Sequence, residues 1–144
     1  MSEHNDKIVS REELRRRTER WKRDGEKVIL TNGCFDLLHV GHIRYFHAAK
    51  QLGGKLVVAL NADESVRRLK GAGRPVMNER ERAEILAALA DIDAIVIFPE
   101  PDVRAIIAQA VLAIQSAGTI AATLVGRPTG GPGVDAERCG MKGA

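Results

Sequence analysis

Two histidines three positions apart, His39 and His42, enclose Val40-Gly41 at the start of a stretch with helical character. At a helix entrance that spacing sends both rings from one face toward a common point above the N-terminus. Unpaired backbone N–H groups and the positive end of the helix dipole already favour an anion at such a point. Gly41 has no side chain, so a phosphate-bearing ligand could approach the backbone closely. Asp36, just upstream, is placed to orient an imidazole or to help hold a magnesium ion. The same pair also has blander readings, as helix caps, packed core residues or part of a metal site. A zinc site built from Cys34, His39 and His42 would lack a fourth ligand. The setting, after a buried strand and a glycine-containing loop and ahead of basic residues, favours phosphate chemistry.

The elements that must hold these residues follow from the hydrophobic pattern. Ser10 to Arg23 (SREELRRRTERWKR) predicts a helix with Ser10 as N-cap, Glu13 as its capping-box partner, and Leu14 and Trp21 on one face. Its arginines alternate with Glu12, Glu13 and Glu19 at ion-pairing distances, which marks a solvated face rather than a nucleic-acid surface. Lys27 to Leu30 is a short buried strand. The turn-rich TNGCFD follows, then a helix from about Gly41 to Leu52 closed by Gly53-Gly54. Lys55 to Leu60 is a second strand with the continuous apolar character of a parallel sheet covered on both faces. Asn61-Ala62-Asp63 reads as a loop and helix cap, followed by a short helix over Glu64 to Leu69 and the breaking loop KGAGRP. Asn78 to Ala90 is a longer helix with Ile85, Leu86 and Leu89 inward. Ala94 to Phe98 is the third strand, and Pro101-Asp102 opens a helix carrying Val103, Ile106, Ile107, Ala110 and Ile114 at helical spacing.

Strands alternating with helices imply the α/β class, a Rossmann-like doubly wound parallel sheet with right-handed crossovers. Ligands in such folds bind at the carboxyl ends of the strands, which points to the loops after Leu30, Leu60 and Phe98. Residues 1–115 are expected to form the functional domain. Residues 116–144 hold one weak apolar stretch, Ile120 to Val125, then a Gly/Pro-rich run, and are expected to be an irregular tail.

A chain of 144 residues suffices for one domain. The net charge of +3 and the pI near 9.1 suit an anionic small molecule but lack the dense basic stripe of a nucleic-acid binder. Cys34 and Cys139 have neither metal nor redox spacing, and no apolar run approaches the roughly 18 residues of a membrane span, so a cytoplasmic protein without membrane contact is expected.

The segment GCFDLLHVGH resembles the signature of the cytidylyltransferase-like nucleotidyltransferase superfamily. The longer run from Lys27 through Phe98, including VRRLKGAGRP and ERAEILAAL, resembles the D-glycero-β-D-manno-heptose 1-phosphate adenylyltransferases of bacterial ADP-heptose synthesis, with the likeness covering roughly residues 7 to 114. The resemblance implies transfer of AMP from ATP to heptose 1-phosphate, with Mg2+ and release of pyrophosphate, for lipopolysaccharide core assembly. It implies phosphate contacts from His39, His42 and Lys70. It also implies a nucleotide loop of Thr31, Asn32, Gly33, Phe35, Asp36 and Gly41, with Asp63 and Arg82 at matching positions of the site. Apart from the resemblance, Asp63 can be read as a helix N-cap, and Arg67, Arg68, Arg74 and Arg82 as exposed cations. Members of the family often pair, which implies a homodimer. They continue with a further strand, a KGxDY-like segment and an ISTT-like helix start. None is found after Ser116, so the sheet is expected to be truncated or altered at its C-terminal end, with impaired activity as one consequence. Competing readings are a cytidylyltransferase acting on glycerol phosphate or another sugar phosphate, and a non-catalytic nucleotide-binding domain. A tRNA synthetase shares the HxGH helix entrance, but this chain is short for one and has no KMSKS-like loop.

Overall fold

Ser10 starts the first helix as its chemistry requires: its hydroxyl accepts the Glu13 amide at 3.1 Å in the computed structural model, which describes residues 3–101, 103–107 and 120–121. The helix is α1, Arg11–Arg23, preceded by a 3-10 turn over Glu3–Lys7. The Glu13 carboxylate does not complete the expected capping box. It pairs with Arg16 and Arg17 at 3.1 and 3.3 Å, where two cations outcompete one backbone amide. Arg15 pairs with Glu19 in the same way, as expected for a solvated face, and Arg11 reaches across to Glu100.

Strand β1 is Val28–Gly33, longer than the apolar run KVIL suggests. Its backbone stays in parallel register with β2 (Lys55–Asn61) through the polar residues, with Thr31 opposite Val58 and Gly33 opposite Leu60, because ladder bonds are indifferent to side-chain polarity. Between them lies α2, Val40–Lys50. Gly54 serves the strand entrance rather than the helix end: a Cβ there would lie 2.4 Å from the Lys27 carbonyl oxygen. Helix α3 (Asp63–Lys70) follows, then α4 (Glu79–Ala87), whose Asn78 cap accepts the Glu81 amide at 2.9 Å. Leu86 is buried and Leu89 packs beside it, but Ile85 is 39% exposed, because the inward face is set by Arg82, Ala83, Leu86 and Ala87. Strand β3 is Ala94–Phe98, as read from the sequence. The helix expected from Pro101-Asp102 begins later, as α5 over Arg104–Ile106. Val103 and Ile106 are buried and Ile107 packs against them, while Ala110 and Ile114 lie outside the described residues. Two residues of the stretch read as tail, Ile120–Ala121, form β4.

The four strands are parallel in the order β3-β2-β1-β4. One face buries Val28, Leu30, Val57, Ala59, Val96 and Phe98 against Leu14 of α1 and Ile106 of α5. The other buries Ile29, Leu56, Val58, Leu60 and Ile95 against Phe46 of α2 and Leu86 of α4. Helices on both faces make the sheet doubly wound, and alternation along each strand sends neighbouring residues to opposite cores. The outer edge of β3 is engaged at one point, where Ile8 forms a parallel bridge to Ile95 and the Val9 amide donates to the Ile95 carbonyl at 2.9 Å. Among the described residues no helix is long and apolar enough to cross a membrane.

Leu14, with no exposed surface, ties α1 to the sheet. Leu14→Ala is expected to destabilise the fold by about 2–5 kcal/mol in urea titrations, whereas Arg15→Ala, at the exposed Arg15–Glu19 pair, should change it by less than about 0.5 kcal/mol.

Candidate active site

The carboxyl ends of β1, β2 and β3 lie on one edge of the sheet, with Asn61 in register with Phe98 and Gly33 with Leu60. The residues singled out in the sequence sit on this edge. Thr31 and Asn32 are buried within β1, and the Thr31 hydroxyl is shared with the Tyr45 hydroxyl at 2.6 Å. Thr31 therefore fixes α2 to the strand. Gly33 leaves room for the Phe35 ring, since a Cβ at 33 would lie 2.9 Å from Phe35 Cζ. Phe35 adopts φ 44, a left-handed conformation that side chains other than glycine rarely take and that costs roughly 1 kcal/mol or more. Its ring meets His42 edge-on at 5.6 Å and packs on Phe46 at 5.1 Å, contacts that hold it there.

His39 is the N-cap of α2, in extended backbone, and its Nδ1 accepts the Gly41 amide at 3.0 Å. His42 Nδ1 accepts the His39 amide at 3.2 Å. Each imidazole thus satisfies a backbone donor at the helix entrance, as two arms of a reciprocal cap. The capping and ligand-binding readings are compatible, because an imidazole that accepts at Nδ1 carries its proton on Nε2. The hydrogen-bond network therefore assigns both rings the same tautomer, with Nε2–H left as donor. The ring centroids are 4.0 Å apart. Gly41 is required beneath them: a Cβ there would lie 2.7 Å from His39 Cε1.

Burial, followed by the electrostatic influence of His39 and of Lys70, pushes the His42 pKa from its ordinary 6.5 down to about 4. His42 is neutral at pH 7. Lys70 is near enough for its charge to bear on His42. Lys70 is the last residue of α3 rather than part of the loop, and Gly71, at φ 88, turns the chain behind it.

The two aspartates have other tasks. Asp36 orients no imidazole: its carboxylate accepts the Val76 amide at 3.0 and 2.8 Å and the Met77 amide at 3.0 Å, and pairs with Arg74 at 2.9 Å. Burial alone would raise its pKa. The Met77 and Val76 amides, with the charges of Arg74 and Arg82, outweigh that and hold it below the ordinary value. Asp63 is not a helix cap. Ala62 holds that position, and Asp63 receives Arg82 at 2.7 Å through its carboxylate while its amide donates to Glu79 at 3.1 Å. Arg82 is fully buried rather than exposed, and Arg74 is half-buried through its pair with Asp36, whereas Arg67 and Arg68 are exposed as expected. Among the described residues no three His, Cys, Asp or Glu side chains converge as metal ligands. With Asp36 and Asp63 engaged in this way, the donor set does not fit a resident magnesium ion; a metal would arrive bound to a nucleotide substrate.

Sequence reasoning missed Tyr45 and Glu79, and it misread Arg74. Tyr45 is the chain's single tyrosine and lies one helical turn beyond His42, which was the available signal. Nothing local marks Arg74 or Glu79, whose partners are distant in sequence.

With the geometry in place, the chain can be set beside known proteins. The family model described as cytidylyltransferase-like matches residues 30–122, which include every residue of this site. The chain belongs to the cytidylyltransferase-like family. Among curated members, the bifunctional protein HldE of Koribacter versatilis is 55% identical over 94 residues, covering 65% of this chain and 19% of that protein. Its counterpart in Syntrophotalea carbinolica is 55% identical over 98 residues, covering 68% and 20%. The chain thus spans about a fifth of the length of these curated relatives. A solved structure, the lipopolysaccharide core biosynthesis protein from Thermoplasma volcanium GSS1, superposes with a TM-score of 0.54 at 29% identity, covering 60% of this chain and 69% of that one. That likeness supports the Rossmann-like architecture of a cytidylyltransferase-like domain.

Two outcomes follow from the site. Gly41→Ala should leave the far-ultraviolet circular dichroism unchanged yet weaken triphosphate binding by about tenfold, the worth of one oriented hydrogen bond; unchanged affinity in calorimetry would contradict the ring-over-glycine geometry. Between about pH 6.5 and 4 the unfolded chain takes up a proton that folded His42 refuses. That contribution to stability is complete above pH 6.5 and is lost as the pH falls toward 4. Urea titrations across this window should show it in the wild type and not in His42→Asn, which keeps an acceptor for the His39 amide.

Proposed function

We propose that this domain is a nucleotidyltransferase that transfers AMP from ATP to heptose 1-phosphate, releasing pyrophosphate, as a step toward ADP-heptose and the lipopolysaccharide core. The observation that carries the reading is the pair of Nε2–H donors fixed side by side at the positive end of α2. The identity to the HldE proteins over this domain, with the likeness to a lipopolysaccharide core biosynthesis protein, supports the heptose and lipopolysaccharide setting of this reading.

The chemistry asks little of the nucleophile. A sugar phosphate has its second pKa near 6 and is largely dianionic at neutral pH, so no general base is needed. One of its oxygens attacks the α-phosphorus in line; that P–O bond forms as the bond from the α-phosphorus to the bridging oxygen breaks, and magnesium pyrophosphate leaves with the electron pair. The barrier lies in joining two anions and stabilising the charge on the α-phosphate oxygens. His39 and His42 donate to those oxygens from positions already fixed by the cap, so little reorganisation accompanies the reaction. Lys70 supplies a positive charge beside them as a phosphate partner. Gly33 and Gly41 make room for the Phe35 and His39 rings, while Thr31, Asn32, Phe35, Asp36, Asp63 and Arg82 hold the frame. Residues 1–115 supply this machinery in our reading, acting on small molecules and not on nucleic acid.

The test is pyrophosphate release by the purified chain with ATP, magnesium and heptose 1-phosphate, run beside CTP and beside glycerol phosphate. Turnover with ATP and heptose 1-phosphate is expected. A preference for CTP or glycerol phosphate would reassign the substrates, and nucleotide binding with no turnover would make this a binding domain. His39→Asn and His42→Asn retain an acceptor for the cap but remove the Nε2–H donor. Each should lower kcat by roughly a hundredfold or more, the loss typical of one oxyanion donor.

A further inference from the structure

Arg82 is the largest fully buried side chain of the described residues, and its guanidinium donates to four acceptors in three segments of the site. Nε donates to the Met77 carbonyl at 3.0 Å. One terminal nitrogen donates to the Cys34 and Asn61 carbonyls at 2.7 and 2.8 Å, and the other to Asp63 Oδ1 at 2.7 Å. Cys34 belongs to the loop that carries His39. Asn61 ends β2, Asp63 begins the helix that ends in Lys70, and Met77 precedes α4. Asp36 grips the same strap through the neighbouring Val76 and Met77 amides. A guanidinium offers five N–H donors in a planar fork, and four of these contacts already surround it. With no exposed surface, it has no path to a nucleotide.

We infer that Arg82 is a positioning residue that sets the histidine loop against the lysine helix without touching substrate. This rests on the nucleotidyltransferase reading and deepens it, because that reaction needs His39, His42 and Lys70 to converge on one triphosphate. The acceptors explain why arginine is needed. Carbonyls from two strand ends and a strap cannot approach one another without a shared donor, and the Asp63 carboxylate would stand partly buried without its cation. Lysine brings the charge but a single nitrogen, so it cannot span four acceptors in one plane. A residue that binds phosphate would act on affinity; one that sets the distance between catalytic groups acts on the bound complex.

The test compares wild type, Arg82→Lys and, as the milder change, Asp63→Asn, which keeps an acceptor but removes the charge of the pair. Folded Arg82→Lys, assayed below its own melting temperature with ATP, magnesium and heptose 1-phosphate, should lose at least tenfold in kcat with the KM for ATP within about threefold of wild type. Asp63→Asn should shift kcat in the same direction by less and serves in its place if the lysine variant does not fold. A tenfold rise in KM for ATP at unchanged kcat would overturn the inference in favour of direct phosphate contact, and unchanged kcat and KM would overturn it outright. Amide hydrogen exchange reads the same device without turnover. In either variant protection should fall together at Cys34 to Gly41 and at the start of α3, while the centres of β1 and β2 stay protected. Loss confined to α4 would refute the coupling. If the wild type turns over no substrate, the exchange result alone decides, so failure of the enzymatic reading and failure of this inference are distinguishable.

Discussion

The site depends on how the first turn of α2 is closed. A helix begins with backbone N–H groups that have no partner within it, and this chain satisfies two of them with imidazole nitrogens. A serine or aspartate would cap as well, but neither would leave an N–H donor facing outward. Imidazole has two distinct nitrogens, so committing one to the backbone fixes the tautomer of the other. The positions of Gly41, Phe35 and Lys70 follow from that commitment. Gly41 must lack a side chain under the His39 ring, the Phe35 ring supports His42, and the charge of Lys70 helps keep His42 unprotonated.

Around this turn the polar groups are organised as a frame rather than as a set of ligands. Asp36 and Arg82 are the two centres of that frame, and each binds backbone as well as side chains. Carboxylates and guanidiniums near a phosphate site invite a reading as metal or phosphate partners. Here their burial and complement of partners assign them to holding loops, and in the proposed reaction the cationic and donor functions fall to Lys70 and the histidines. The division is economical in a small domain, where a few buried charges must fix several loops at once.

Much of this was legible in the chain itself. Continuous apolar runs placed β2 and β3 closely, and the spacing of His39 and His42 marked the entrance of α2, where both rings cap the helix, because both signals arise from neighbours in sequence. The extension of β1 through Thr31 to Gly33 was not legible, since parallel pairing recruits backbone whatever the side chain. The roles of Asp36, Arg74 and Arg82 were misread for a related reason. Their partners lie up to 48 residues away, and no local pattern records a contact across the fold. Ile85 was turned the wrong way because the buried Arg82 occupies a lane of α4 that periodicity assigns to apolar residues.

The strained backbone at Phe35 has an evolutionary corollary. Its ring occupies the volume that a side chain at position 33 would need, so neither position can change freely while the other stays. Enlarging residue 33 requires the aromatic at 35 to leave, which strips His42 of its edge-on support; relaxing 35 to glycine opens a hollow below the same imidazole. The two positions therefore behave as a single heritable unit, and drift at either should be accompanied by compensation at its partner.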